Sequence, residues 1–117
     1  MLDLSKRGAK ILMLCRNLEK TNPVRDEIVK KTKGDIDVYQ LDLSSLASVR
    51  RCATEIINNE PKIDILINNA GVMTCPNWKT TDGFDMQFGT NHLGHFLLTE
   101  LLLPLVKKAA EGDYRPR

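Results

Sequence analysis

Apolar positions along the chain switch between a continuous run and a helical period, and the switches define its elements. Residues 10–15 carry the run Ile11-Leu12-Met13-Leu14-Cys15, the pattern of a short strand covered on both faces. Before it, Lys6-Arg7-Gly8-Ala9 reads as the end of a helix closed by a glycine. Asn22-Pro23 reads as a cap followed by proline at the first helical position, predicting a helix through Val24, Ile28 and Val29 to Gly34. Residues 36–41 predict a second strand. Ser44 or Ser45 then caps a segment in which Leu46, Val49, Ala53, Ile56 and Ile57 recur at helical spacing until Pro61. Residues 63–67, rich in isoleucine, predict a third strand.

After a loop over residues 68–80, helical spacing resumes from about Thr81, with Phe84, Phe88, Leu93, Phe96, Leu97 and Leu101 on the apolar side. Pro104 is expected to end or kink that helix. Residues 112–117 are polar and without periodicity, which predicts a disordered tail. Helices alternating with short strands indicate an α/β architecture, an open parallel sheet with helices on both faces.

Composition narrows the classes. The 117 residues are one domain's worth of chain, and a hydrophobic fraction of 42% is too high for a disordered segment. The densest apolar stretch, Leu101-Leu102-Leu103-Pro104-Leu105-Val106, is far shorter than a membrane span. No apolar region follows the charges of the first residues, so no signal peptide is expected. Cys15, Cys52 and Cys75 are far apart and lack Cys-x-x-Cys spacing, which predicts reduced thiols and no metal site. Residues 1–33 hold nine Lys/Arg against four Asp/Glu. Without interleaved aromatics or a known motif, that excess does not predict nucleic-acid binding.

Two motifs carry chemistry. After the third predicted strand, Asn68-Asn69-Ala70-Gly71 places amide side chains at the carboxyl edge of a parallel sheet, where ligands bind in such folds. There Asn69 can tie neighbouring strands, and Gly71 lets the backbone approach a ribose. An ordinary strand-to-loop turn is the other reading, since asparagine and glycine favour turns. The second motif, Asn91-His92-Leu93-Gly94-His95-Phe96, puts an asparagine mid-helix, where it is locally unfavourable. A kink with a water or lysine partner would explain it. His92 and His95 share a face, but no Cys, Asp or Glu stands at metal spacing, so no metal is expected.

Together, Ile65-Leu66-Ile67-Asn68-Asn69-Ala70-Gly71-Val72 and Asn91-His92-Leu93-Gly94-His95-Phe96 resemble the short-chain dehydrogenase/reductase family. With Met73-Thr74-Cys75-Pro76 and Asp82-Gly83-Phe84 between them, they look most like its retinol dehydrogenase group. The resemblance runs from about residue 4 to about residue 111. It implies an NADP(H)-dependent oxidoreductase acting on retinol, retinal, or lipid alcohols and carbonyls. It also implies a cytoplasm-facing location, with relatives often on endoplasmic reticulum or mitochondrial membranes.

Residue by residue, the resemblance implies that Asn69, Ala70 and Gly71 meet the cofactor. Arg16, directly after the first predicted strand, stands where the family meets the adenosine ribose. An acidic residue there would take the 2′-hydroxyl of NAD, whereas a guanidinium suits a 2′-phosphate. No Asp or Glu lies between Ile11 and Leu18, so the cofactor implied is NADP. A solvated surface arginine is the alternative. Asp42 and Leu43 match the family's pair beside the adenine; otherwise Asp42 is a loop aspartate opening the next helix. Asn91 is the one member of the family's catalytic tetrad in the sequence.

The family's glycine-rich pyrophosphate turn and its Ser, Tyr and Lys do not occur here. Neither Tyr39 nor Tyr114 has a lysine four residues on. The expected architecture is therefore one partial NADP-binding domain, three strands of a Rossmann-type doubly wound sheet without the first strand and the C-terminal half. Strand 63–67 would then be offset from strand 10–15 by a gap, or slide inward to pair with it. An inactive product is expected from the chain alone. The competing expectations are a non-catalytic fragment acting only through protein–protein packing, with homo-oligomers formed through residues 84–108, or an incomplete gene product without activity.

Overall fold

The structure, a computed structural model, describes residues 1–111 and 116–117. The disordered tail expected over residues 112–117 therefore falls largely outside the described residues. Two compact units, Met1–Leu41 and Asp42–Arg117, are each built around their own core.

In the first unit, α1 (Leu2–Lys6) leads through Gly8 to β1 (Ile11–Cys15), and α2 (Leu18–Thr32) crosses over to β2 (Ile36–Gln40). The strands are parallel, in register from Ile11 opposite Ile36 to Cys15 opposite Gln40. Met13, Ile28 and Ile36 are buried together, with Ile11, Val29 and Val38 packed against them. On the strands, burial is deepest at Met13, Ile36 and Tyr39, with Ile11 and Val38 half-buried beside them.

Helix α2 begins earlier than the Asn22-Pro23 pair predicts. Asn17 is the cap: its backbone is extended and its Oδ1 accepts the Lys20 N–H at 3.0 Å. Pro23 sits inside the helix, where the bond its nitrogen cannot make would go to the carbonyl of Glu19, an exposed residue. At the other end Lys33, not Gly34, takes the left-handed conformation (φ 55°) and donates its N–H to Val29 O at 2.7 Å. Gly34 serves a close approach: a Cβ there would collide with the Ser5 Oγ, which hydrogen-bonds the Thr32 Oγ1 at 2.6 Å. On α2 a hydrogen bond from the Lys31 ammonium holds the exposed Glu27 carboxyl below its ordinary range.

The second unit holds α3 (Leu46–Asn59) and one continuous helical run: α4 (Met86–Phe88), a π-helical segment (Gly89–Gly94) and α5 (His95–Ala109). Ser45 caps α3, its Oγ accepting the Ser48 N–H at 3.3 Å. The core of this unit packs α3 against α5, with Val49, Cys52, Ala53 and Ile56 buried on one helix and Leu98, Leu102, Leu105 and Ala109 on the other.

Three expectations for this half change. Helicity starts at Met86 rather than Thr81, because residues 79–85 form a tight hairpin first. Its bonds run from Thr80 N–H to Phe84 O (2.8 Å) and from Met86 N–H to Trp78 O (2.9 Å), and Asp85 then caps the helix through the Phe88 N–H at 2.8 Å. The buried stripe is Leu98, Leu102, Leu105 and Ala109, whereas Phe88 and Phe96 are 54% and 58% exposed. Pro104 lies inside α5, which continues to Ala109. The bond it lacks would go to Glu100, whose residue faces solvent.

Among the described residues the sheet holds two strands, not three. Residues 63–67 neither join β1 nor form a ladder of their own. Arg117 donates its N–H to Asp64 O at 3.0 Å and accepts from the Leu66 N–H at 2.8 Å. That is the bonding of a parallel pair centred on Ile65. Isoleucines favour an extended backbone, but a strand also needs a partner along its length. Ile65 and Ile67 remain 47% and 64% exposed. No described helix is long and apolar enough to cross a membrane.

Candidate functional site

The π-helical turn around Asn91 organises the loop that follows residue 67. A single amide serves both backbone groups of Val72: Asn91 Oδ1 accepts its N–H and Asn91 Nδ2 donates to its carbonyl, both at 2.8 Å. The side chain thus acts as a strand neighbour would. The side chain's partner among the described residues is main chain, and the widened turn is the helical irregularity that frequently marks functional sites.

Two further residues sit on the same face at four-residue spacing. His95 Nδ1 lies 2.9 Å from the Asn91 carbonyl, and the Thr99 hydroxyl donates to the His95 carbonyl at 2.8 Å. Thr99 Oγ1 in turn accepts from Asn68 Nδ2 at 3.0 Å. Asn68 and Val72, the two ends of the loop, are therefore both fastened to one helix. The tying role expected of Asn69 falls here to Asn68, since the Asn69 side chain makes no hydrogen bond among the described residues. The one signal in the sequence for Thr99 is that polar residues at 91, 95 and 99 recur with the period of a helix face.

Between the two anchors Asn69, Ala70 and Gly71 are exposed. The nearest atom to a Cβ built at Gly71 would be Asn91 Oδ1 at 3.4 Å, an ordinary contact, so the protein's own packing does not demand glycine there.

Asp42 closes a turn ahead of α3. Its Oδ1 accepts from the Ser44 N–H (2.9 Å) and hydroxyl (2.6 Å), and its N–H donates to Ser48 Oγ at 3.0 Å. Its second carboxylate oxygen makes no hydrogen bond among the described residues. Leu43 is buried against Gly94, where a Cβ would stand 2.5 Å from the Leu43 carbonyl oxygen. Asp82 steadies the start of α3, its Oδ2 accepting the Leu46 N–H at 2.8 Å. In the first unit, Arg16 follows β1 directly, is exposed and makes no ion pair among the described residues.

The short chain dehydrogenase family model matches residues 2–113. The chain belongs to that family. Its members are oxidoreductases, and this chain is retinol dehydrogenase-like. It is 52% identical to retinol dehydrogenase 13 of Homo sapiens over 110 residues, covering 93% of this chain and 33% of that protein. The chain spans about a third of the length of the curated relatives it matches. Among solved structures, an uncharacterised protein from Mycobacterium paratuberculosis is 44% identical with a TM-score of 0.74, covering 89% of this chain and 36% of that one. A metagenomic short-chain oxidoreductase in complex with NADP is 27% identical with a TM-score of 0.76, covering 92% of this chain and 50% of that one. The α/β, Rossmann-like class expected from the alternation of elements is thereby established.

Proposed function

We propose that these residues form the nucleotide-facing part of an NADP(H)-dependent oxidoreductase that acts on retinol, retinal, or lipid alcohols and carbonyls. The observation that carries this reading is the Asn69-Ala70-Gly71 segment, pinned at both ends and left exposed between them. Its amide side chain is unengaged among the described residues, and its glycine has no packing reason to be one. Both features fit a sugar or nicotinamide edge lying against the backbone. The free oxygen of Asp42 fits the amino group of an adenine, and the Leu43 backbone stands beside it. Arg16, exposed and without an ion-pair partner among the described residues, fits a 2′-phosphate. NADP(H), when bound, supplies or accepts the hydride. The role of this chain is to hold its nucleotide and ribose portions, with Asn91 shaping the loop.

The test is a calorimetric titration of the chain with NADPH and with NADH, repeated on Arg16→Asp. NADPH should bind the native chain more tightly. A charge-assisted bond contributes roughly 1.5–3 kcal/mol, so the substitution should erase a preference on the order of tenfold or more. An unchanged preference in Arg16→Asp would sink the assignment.

A second reading, action through packing of the long helix, is favoured by one observation. Phe88, His92 and Phe96 form an exposed row with ring centroids 5.2 and 6.3 Å apart. We expect sedimentation to show a concentration-dependent homodimer that Phe88→Ser with Phe96→Ser dissociates. A native chain that stays monomeric at high concentration excludes this role.

A further inference from the structure

We infer that His95 is a positioning residue for the Asn69-Ala70-Gly71 loop, joining its two anchors into one clamp. The starting point is the Asn91 carbonyl. In a regular helix it would receive the backbone N–H four residues on, but the His95 N–H goes to the His92 carbonyl instead. The imidazole is aimed at the Asn91 carbonyl: Nδ1 sits 2.9 Å from its oxygen. A carbonyl only accepts, so Nδ1 must carry the proton, which selects one tautomer of the neutral ring. At its other end the His95 carbonyl receives the Thr99 hydroxyl, whose oxygen holds Asn68 at 3.0 Å. A line of hydrogen bonds therefore runs from Val72 through Asn91, His95 and Thr99 to Asn68. His95 is its middle member and its one side chain bonded to the carbonyl of Asn91.

The consequence is specific. Asn91 can pair with both groups of Val72 only while its own backbone is held in the widened turn. Without a donor at position 95 the turn can relax toward regular helix and draw the amide away from Val72. The inference rests on the reading that this loop faces a nicotinamide nucleotide, but the clamp can be measured without one.

Two variants separate donor chemistry from helix preference. Leucine at 95 is a better helix former than histidine and cannot donate, whereas asparagine has a helix preference close to that of histidine and places an N–H near the Nδ1 position. The readout is amide hydrogen exchange by NMR on the 117-residue chain, with a long-range proton–nitrogen correlation on the imidazoles. In His95→Leu the Val72 amide should exchange about tenfold faster, the equivalent of losing one net hydrogen bond. In His95→Asn it should return to the native rate. The Cys52 and Leu102 amides, in the α3–α5 core, should not change in either variant. The native His95 ring should report a protonated Nδ1. Unchanged Val72 exchange in His95→Leu, or a ring protonated at Nε2 alone, overturns the clamp. Should His95→Leu lose core protection as well, His95→Asn decides, and fast Val72 exchange there overturns it too. A parallel NADPH titration keeps the two readings apart. His95-dependent exchange in a native chain that takes up no NADPH defeats the nucleotide reading and leaves the clamp standing.

Discussion

Replacing Gly94 by alanine is expected to destabilise the Asp42–Arg117 unit, although alanine is the better helix former by about 1 kcal/mol. The new methyl would stand 2.5 Å from the Leu43 carbonyl oxygen and 3.1 Å from its Cβ. Backbone cannot rotate out of the way as a side-chain tip can, so helix and loop must separate. Overpacking of this kind costs roughly 1–3 kcal/mol, occasionally more, which outweighs the gain in propensity. The displaced segment carries Asp42 and Leu43, so NADPH affinity should fall with stability. Gly71→Ala is the contrast: its methyl meets only the Asn91 side chain, Oδ1 at 3.4 Å and Cγ at 3.8 Å, and stability should barely change. Denaturant midpoints for the two variants check the pair. A Gly94→Ala chain as stable as the native one would show that the helix and the Leu43 turn are not in fixed contact.

A continuous apolar run located β1 from sequence, the strand expected over residues 36–41 is β2, and a serine before a helical period located α3. These are signals in which local preference and burial agree. Local preference misled where a tertiary contact decided. Asn22-Pro23 is a good helix opening in isolation, yet Asn17 reaches the Lys20 N–H first and the proline is absorbed on an exposed turn. Residues 63–67 have the composition of a strand, but a ladder depends on a second segment that composition does not reveal. On the long helix, an apolar side was visible, but the face that is buried is chosen by α3. The site was legible as motifs rather than as geometry. Asn91 stood out because asparagine is costly mid-helix, and it does mark the π-helical turn. That its partner would be Val72, and that Asn68 rather than Asn69 would hold the loop, depends on backbone direction at two separated places. No local pattern encodes that.

Given NADPH and retinal, the 117-residue chain is expected to turn over no substrate above the uncatalysed rate. Hydride delivery to a carbonyl carbon leaves an oxygen that needs a proton, from an acid within about 2.6–3.2 Å. Positioned acid–base groups typically supply roughly 10²–10⁴-fold. The described residues offer few candidates. Tyr39 is buried on β2, 7% exposed, with Leu43 rather than a lysine four residues on. His95 Nδ1 lies 2.9 Å from the Asn91 carbonyl, and in the clamp inferred above its proton is engaged there. The His92 ring packs between those of Phe88 and Phe96. Asn91, with both amide atoms on Val72, shapes the site and carries no exchangeable acid. Nucleotide binding without turnover is thus the expected pairing of results. The check is NADPH oxidation with retinal by protein from a host without a retinal reductase of its own. Saturable turnover that survives purification and disappears in His92→Gln would move the proton donor to that imidazole and overturn the expectation.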